Sequence, residues 1–129
     1  MATRSRIGIE LKDGSILSVY HHWDGYPEWL GRILTTHYNT KDKVAELIDG
    51  GDMSTCWNDN NEPEYYTARG EEYQPPRYDA DLCEYLDKNN SGEEYAYVFR
   101  SGNWVCYNMH EFDEQLPEVI EIPSGALAC

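Results

Sequence analysis

The chain has 129 residues, with 24 acidic against 10 basic side chains and a formal charge of −14. That length suits one domain, 1–129, and gives enough apolar chain for a core without disulfide staples. A charge this negative repels phosphate backbones and disfavours nonspecific binding to nucleic acid or to an anionic membrane, and no apolar run reaches the length of a bilayer span.

The first element is a β-hairpin. Residues 7, 9 and 11 of Arg6-Ile7-Gly8-Ile9-Glu10-Leu11 are apolar, Asp13-Gly14 is a turn pair, and Ser15–Tyr20 returns as the second strand. Next comes Tyr20-His21-His22-Trp23-Asp24-Gly25-Tyr26-Pro27-Glu28-Trp29-Leu30-Gly31, where a strand pattern gives way to a helix pattern. The first helix is expected from Pro27, with Asp24 or Gly25 as its cap region and Trp29 or Leu30, then Ile33, Leu34, His37 and Tyr38 as its stripe. Thr40 caps a second helix with Asp42 in its first turn and Val44, Leu47 and Ile48 as its buried face, and Gly50-Gly51 stops it.

Beyond residue 52 the pattern is weaker. Met53–Trp57 and Tyr65–Ala68 read as short strands around a polar loop at 58–64. Asp79 is expected to cap a third helix through Leu82, Tyr85 and Leu86 that ends at Asn89-Asn90 or Gly92. Glu94–Arg100, the turn Ser101-Gly102-Asn103 and Trp104–Asn108 make a second hairpin, and Pro117 and Pro123 prevent a long helix in the tail. The sum is an α+β fold: an antiparallel sheet of about four to six strands with two or three helices packed on one face.

The charge is uneven. Residues 1–48 hold six basic and six acidic side chains, so the whole excess lies in 49–129. Glu62, Glu64, Glu71 and Glu72, in the acidic central stretch, are the candidate partner-binding side chains. Cys56, Cys83, Cys106 and Cys129 show no C-x-x-C spacing, and the charged N-terminal residues are followed by no signal-like apolar run. Free thiols and a cytoplasmic setting are the expectation.

The sequence from Tyr20 to Gly31 admits two readings. As a structural corner, Asp24 accepts backbone N–H groups at the helix start, Gly25 takes a positive φ, Pro27 fixes the first turn and Trp23 fills core. As a site, His21, His22, Trp23, Asp24 and Tyr26, with Arg32 one turn on as a phosphate partner, bind a small anionic or nucleobase ligand. His21, His22, Asp24, His37 and His110 are metal-ligand types, but neighbouring strand residues point to opposite faces, so no metal or other cofactor is expected. No G-x-S-x-G, H-E-x-x-H or phosphate-cradling glycine loop is present, and nothing marks Cys56 or Cys106 as activated, so the residues favour no catalytic role.

Ser5-Arg6-Ile7-Gly8-Ile9, Ser18-Val19-Tyr20-His21-His22-Trp23-Asp24-Gly25-Tyr26-Pro27, then Gly31, Ile33, Leu34, His37 and Tyr38, and Lys43, Val44, Leu47, Ile48 and Gly51-Asp52-Met53-Ser54 form a wider pattern. It resembles a family of small, uncharacterised bacteriophage proteins with a hairpin, a (C/H)-H-W-D-G-Y-P motif, a helix ending in H-Y and a helix ending in G-D-(I/M)-S. The resemblance covers about residues 5–55 and, loosely, 93–108. It implies a phage accessory protein that works inside the infected cell, and it supplies no activity.

Three functions are therefore weighed. The first is a non-enzymatic counter-defence or host-takeover protein that binds and inhibits a host protein with a basic surface, in the manner of a DNA mimic, without binding nucleic acid itself. The second is sequestration of a small nucleotide signal at the corner. The third is a small enzyme acting on a nucleotide. A homodimer through an aromatic sheet edge is compatible with the Tyr and Trp content.

Overall fold

The computed structural model describes residues 3–57, 62–88, 93–109 and 118–120. β1 (Ser5–Glu10) and β2 (Ile16–Trp23) form the expected hairpin, with Ile7 opposite Val19 and Ser5 opposite His21. A π-helical turn (Pro27–Gly31) runs into α1 (Arg32–His37), and α2 (Lys41–Asp49) follows. The Thr40 side chain accepts from the Lys43 N–H, so the expected cap of α2 is present, and Asp42 lies in the first turn.

β3 (Met53–Thr55), β4 (Glu64–Tyr65) and a 3-10 turn (Tyr66–Arg69) come next. The strand expected at 65–68 is thus mostly that turn. β5 (Arg77–Asp79) precedes α3 (Leu82–Lys88). Asp81 rather than Asp79 caps α3, through the Glu84 N–H, because Asp79 still belongs to β5. The expected end of α3 at Asn89-Asn90 or Gly92 lies outside the described residues. β6 (Tyr95–Arg100) and β7 (Asn103–Asn108) form the second hairpin, and β8 (Glu118–Ile120) pairs with β7. No helix among the described residues is long and apolar enough to cross a membrane.

The strands form one sheet in the order β4-β3-β2-β1-β6-β7-β8, with β5 paired to the first half of β2. The fold is α+β, as expected. The sheet is mixed, however: β1 pairs in parallel with β6 and β2 in parallel with β3. Each parallel pair needs a long crossover, which no local sequence signal marks.

Both faces are covered. Ile7, Ile9, Val19, Met53, Tyr97 and Cys106 meet Ile33 and Leu34 of α1 and Val44, Leu47 and Ile48 of α2 on one face. On the other, Ile16, Ala96, Val98 and Tyr107 meet Tyr85 and Leu86 of α3. Two helices therefore share a face, as expected, and the third takes the opposite one. Gly8 makes that second layer close: a Cβ there would lie 3.3 Å from the Tyr85 ring. The Tyr85 hydroxyl donates to the Tyr97 carbonyl at 2.8 Å, which ties α3 to β6.

Candidate functional site

The turn out of β2 is built from backbone constraints. Asp24 adopts the left-handed conformation, φ 58°, and Gly25 does not. The expected positive φ at Gly25 is thus one residue early, at a residue type that tolerates it. Gly25 serves close approach instead. Its N–H donates to the Thr3 carbonyl at 2.9 Å, its carbonyl accepts from the Tyr97 hydroxyl at 2.7 Å, and a Cβ would lie 2.5 Å from Ser5 Oγ. The helix cap is Tyr26, in extended backbone, and no side chain caps the turn, so Asp24 lacks the expected capping role. Pro27 occupies the first turn, where its missing N–H costs nothing, and the Tyr26 carbonyl accepts from Leu30 N–H at 3.0 Å.

His21 lies on the sheet face covered by α1 and α2, two residues on from Val19, and is fully buried. Its Nε2 accepts from the Cys56 N–H at 3.0 Å, and its Nδ1 lies 3.2 Å from Ser5 Oγ. A neutral ring that accepts at Nε2 must carry its proton on Nδ1, so Nδ1–H donates to Ser5. Burial, with a smaller contribution from the nearby His22, lowers its pKa to about 3. Protonation would also set an Nε2–H against the Cys56 N–H. The expectation of His21 as a ligand contact is corrected: both its nitrogens are committed within the core.

His22 projects from the opposite face, with Tyr20. The Tyr20 hydroxyl and His22 Nδ1 share a 2.7 Å hydrogen bond, and the His22 ring meets Trp23 edge-on at 4.7 Å between centroids. Trp23 is 45% exposed, so the expectation that it fills core is also corrected. Tyr26 is exposed as well. Tyr20 is the member that the sequence reading missed; its position two residues before His22 on one strand face was the available signal.

Arg32 does not join this group. It begins α1, which lies over the face that buries His21. Its Nε is buried with no hydrogen-bond partner among the described residues, and so is Trp29 Nε1, three residues earlier on the same helical stretch. Residues at i and i+3 are neighbours on a helix surface. The structure therefore divides the six candidates: His22 and Trp23 in contact, Asp24 and Tyr26 in the exposed turn, His21 in the core, and Arg32 at the start of α1.

Glu62, Glu71 and Glu72 are exposed and Glu64 is half-buried, all on the connection between β3 and β5. Tyr73 and Tyr78 are exposed beside them in sequence, at 47% and 57%. The described thiols, Cys56, Cys83 and Cys106, are free, and Cys129 lies outside the described residues. Burial pushes Cys56 far up and Cys106 up to about 12, so neither provides a thiolate near neutral pH. Among the described residues no three His, Cys, Asp or Glu side chains converge as a metal group. His110 lies outside the described residues.

No protein-family model, curated protein or solved structure matches the chain.

Proposed function

We propose that the chain is a small, acidic, non-enzymatic binding protein that takes a basic surface of a host protein, as a phage counter-defence or host-takeover factor acting in the cytoplasm of the infected cell. The observation that carries this reading is the placement of charge. The whole excess of −14 falls in residues 49–129, and Glu62, Glu71 and Glu72 stand at the surface of the β3–β5 connection, close in sequence to the exposed Tyr73 and Tyr78. Carboxylates with interspersed tyrosines suit a protein surface that normally holds a phosphate backbone. The resemblance of the motif pattern to small phage proteins suggests the setting. The test is competition with DNA for purified host nucleic-acid enzymes, followed across salt concentration, with a protein of equal net charge as control. Displacement of DNA that weakens with salt supports the reading, and salt-independent binding or none counts against it.

A second reading, sequestration of a small nucleotide signal, is favoured by one specific feature. Two buried N–H donors, Trp29 Nε1 and Arg32 Nε, have no acceptor among the described residues and belong to residues three apart on one helical stretch. On this reading a phosphate oxygen supplies the acceptor that Arg32 Nε lacks. On this reading a nucleotide raises the melting temperature by mass action, Arg32→Gln removes the rise, and His22→Ala, on the other face, leaves it. A rise lost only in His22→Ala would place the ligand elsewhere.

A further inference from the structure

A cavity of about 420 Å³ opens at the far end of β1 from the His-Trp-Asp corner. It lies between the β1–β2 turn, the α1–α2 connection and the β6–β7 turn, and its size falls in the range of small-molecule sites. Ile9, Leu11 and Phe99 give it an apolar floor. Asn39, Thr40 and Ser101 line it with polar groups, and Lys12 and Lys41 bring cations to it.

The charge around it runs against the rest of the molecule. The chain has four lysines, and three of them lie at this end of the fold, Lys12 on the β1–β2 turn and Lys41 and Lys43 in the first turn of α2. Neither Lys12 nor Lys41 has a carboxylate partner among the described residues. Among the described residues the one carboxylate lining the cavity, Glu10, is held by Arg100 at 3.2 Å. Asp13, on the neighbouring turn, accepts from Ser15 N–H at 3.0 Å and from Ser15 Oγ, so it is turned into its own loop. Two cations over an apolar floor, with Glu10 and Asp13 engaged elsewhere, match a ligand with a charged head and an apolar body.

We propose that this cavity binds small organic anions that join one acidic head group to a flat apolar body, with Lys12 and Lys41 on the head and Phe99, Ile9 and Leu11 under the body. The site is separate from the acidic surface and from Arg32. It gives the protein a small-molecule input whichever reading of its main function holds.

The probe is 1-naphthoate, titrated into the ¹⁵N-labelled chain and compared with neutral 1-naphthalenemethanol. The expected result is a set of saturating amide shifts confined to Leu11, Lys12, Lys41, Phe99, Ser101 and Gly102. The double variant Lys12→Gln, Lys41→Gln should weaken naphthoate by about ten-fold or more and leave the alcohol nearly unchanged. Both lysines are exposed, so the variant should keep a native spectrum. Shifts centred elsewhere, no saturation in the millimolar range, or equal affinity for acid and alcohol would each overturn the proposal.

Discussion

His21 shows how a single residue can look like a ligand and be part of the frame. Its ring joins Ser5 of β1 to the backbone of Cys56, just after β3, across β2, and it can do so only when neutral. In the unfolded chain its pKa returns to about 6.5. The folded pKa is the lower one, so the contribution of this ring to stability is whole above pH 6.5 and is lost as pH falls toward 3. The slope from this one proton is about 1.4 kcal/mol per pH unit below 6.5. Urea unfolding at pH 7 and pH 5 reads it. His21→Ala should cost about 2–4 kcal/mol at pH 7, because it leaves a cavity and unpairs the Cys56 N–H, and should flatten that acid slope. An unchanged slope in the variant would mean that another group carries the pH dependence. The strand alternation that separates His21 from His22 was legible in the sequence. Which of the two faces the core was not, because Ser5 and Cys56 reach His21 from distant parts of the chain.

At the scale of elements, the corner between β2 and the π-helical turn makes opposite demands on adjacent residues. Asp24 holds a left-handed conformation that an L side chain adopts at a cost, and Gly25 lies too close to Ser5 and Thr3 for a side chain. Asp24→Gly should therefore be neutral or stabilising by up to about 1 kcal/mol. Gly25→Ala should destabilise by about 1–3 kcal/mol or more, since a Cβ would push β1 from the turn. Thermal unfolding of the two variants checks both signs, and a loss in Asp24→Gly would show that its carboxylate has a role beyond conformation. The hairpins and α2 were readable because their signals are local: Asp13-Gly14, Thr40 with Gly50-Gly51, and Ser101-Gly102. β5 and β8 are only three residues long and gain their place by pairing with β2 and β7. The parallel pairs, and the placement of α3 on the second face, likewise depend on contacts far apart in sequence. The exposed Trp23 follows from the same limit, since an aromatic at a strand end reads as core until the turn beyond it is known.

For the whole molecule, charge was the most legible property and packing the least. The division between a neutral first part and an acidic remainder comes from counting residues, and it survives in the structure as exposed carboxylates on the β3–β5 connection. The lysine-bounded cavity at the opposite end of β1 from the corner was invisible, because Lys12 and Lys41 are separated by the whole of β2 and α1. The division also makes the account testable as a unit. The measurement is the affinity of the chain for a DNA-binding host enzyme whose DNA it displaces, taken from about 0.05 to 0.3 M salt, beside the variant Glu62→Gln, Glu64→Gln, Glu71→Gln, Glu72→Gln. Affinity should fall steadily with salt, and the variant should give a shallower, weaker curve, as lost charge pairs at a polar rim require. Identical curves for the two proteins would contradict it.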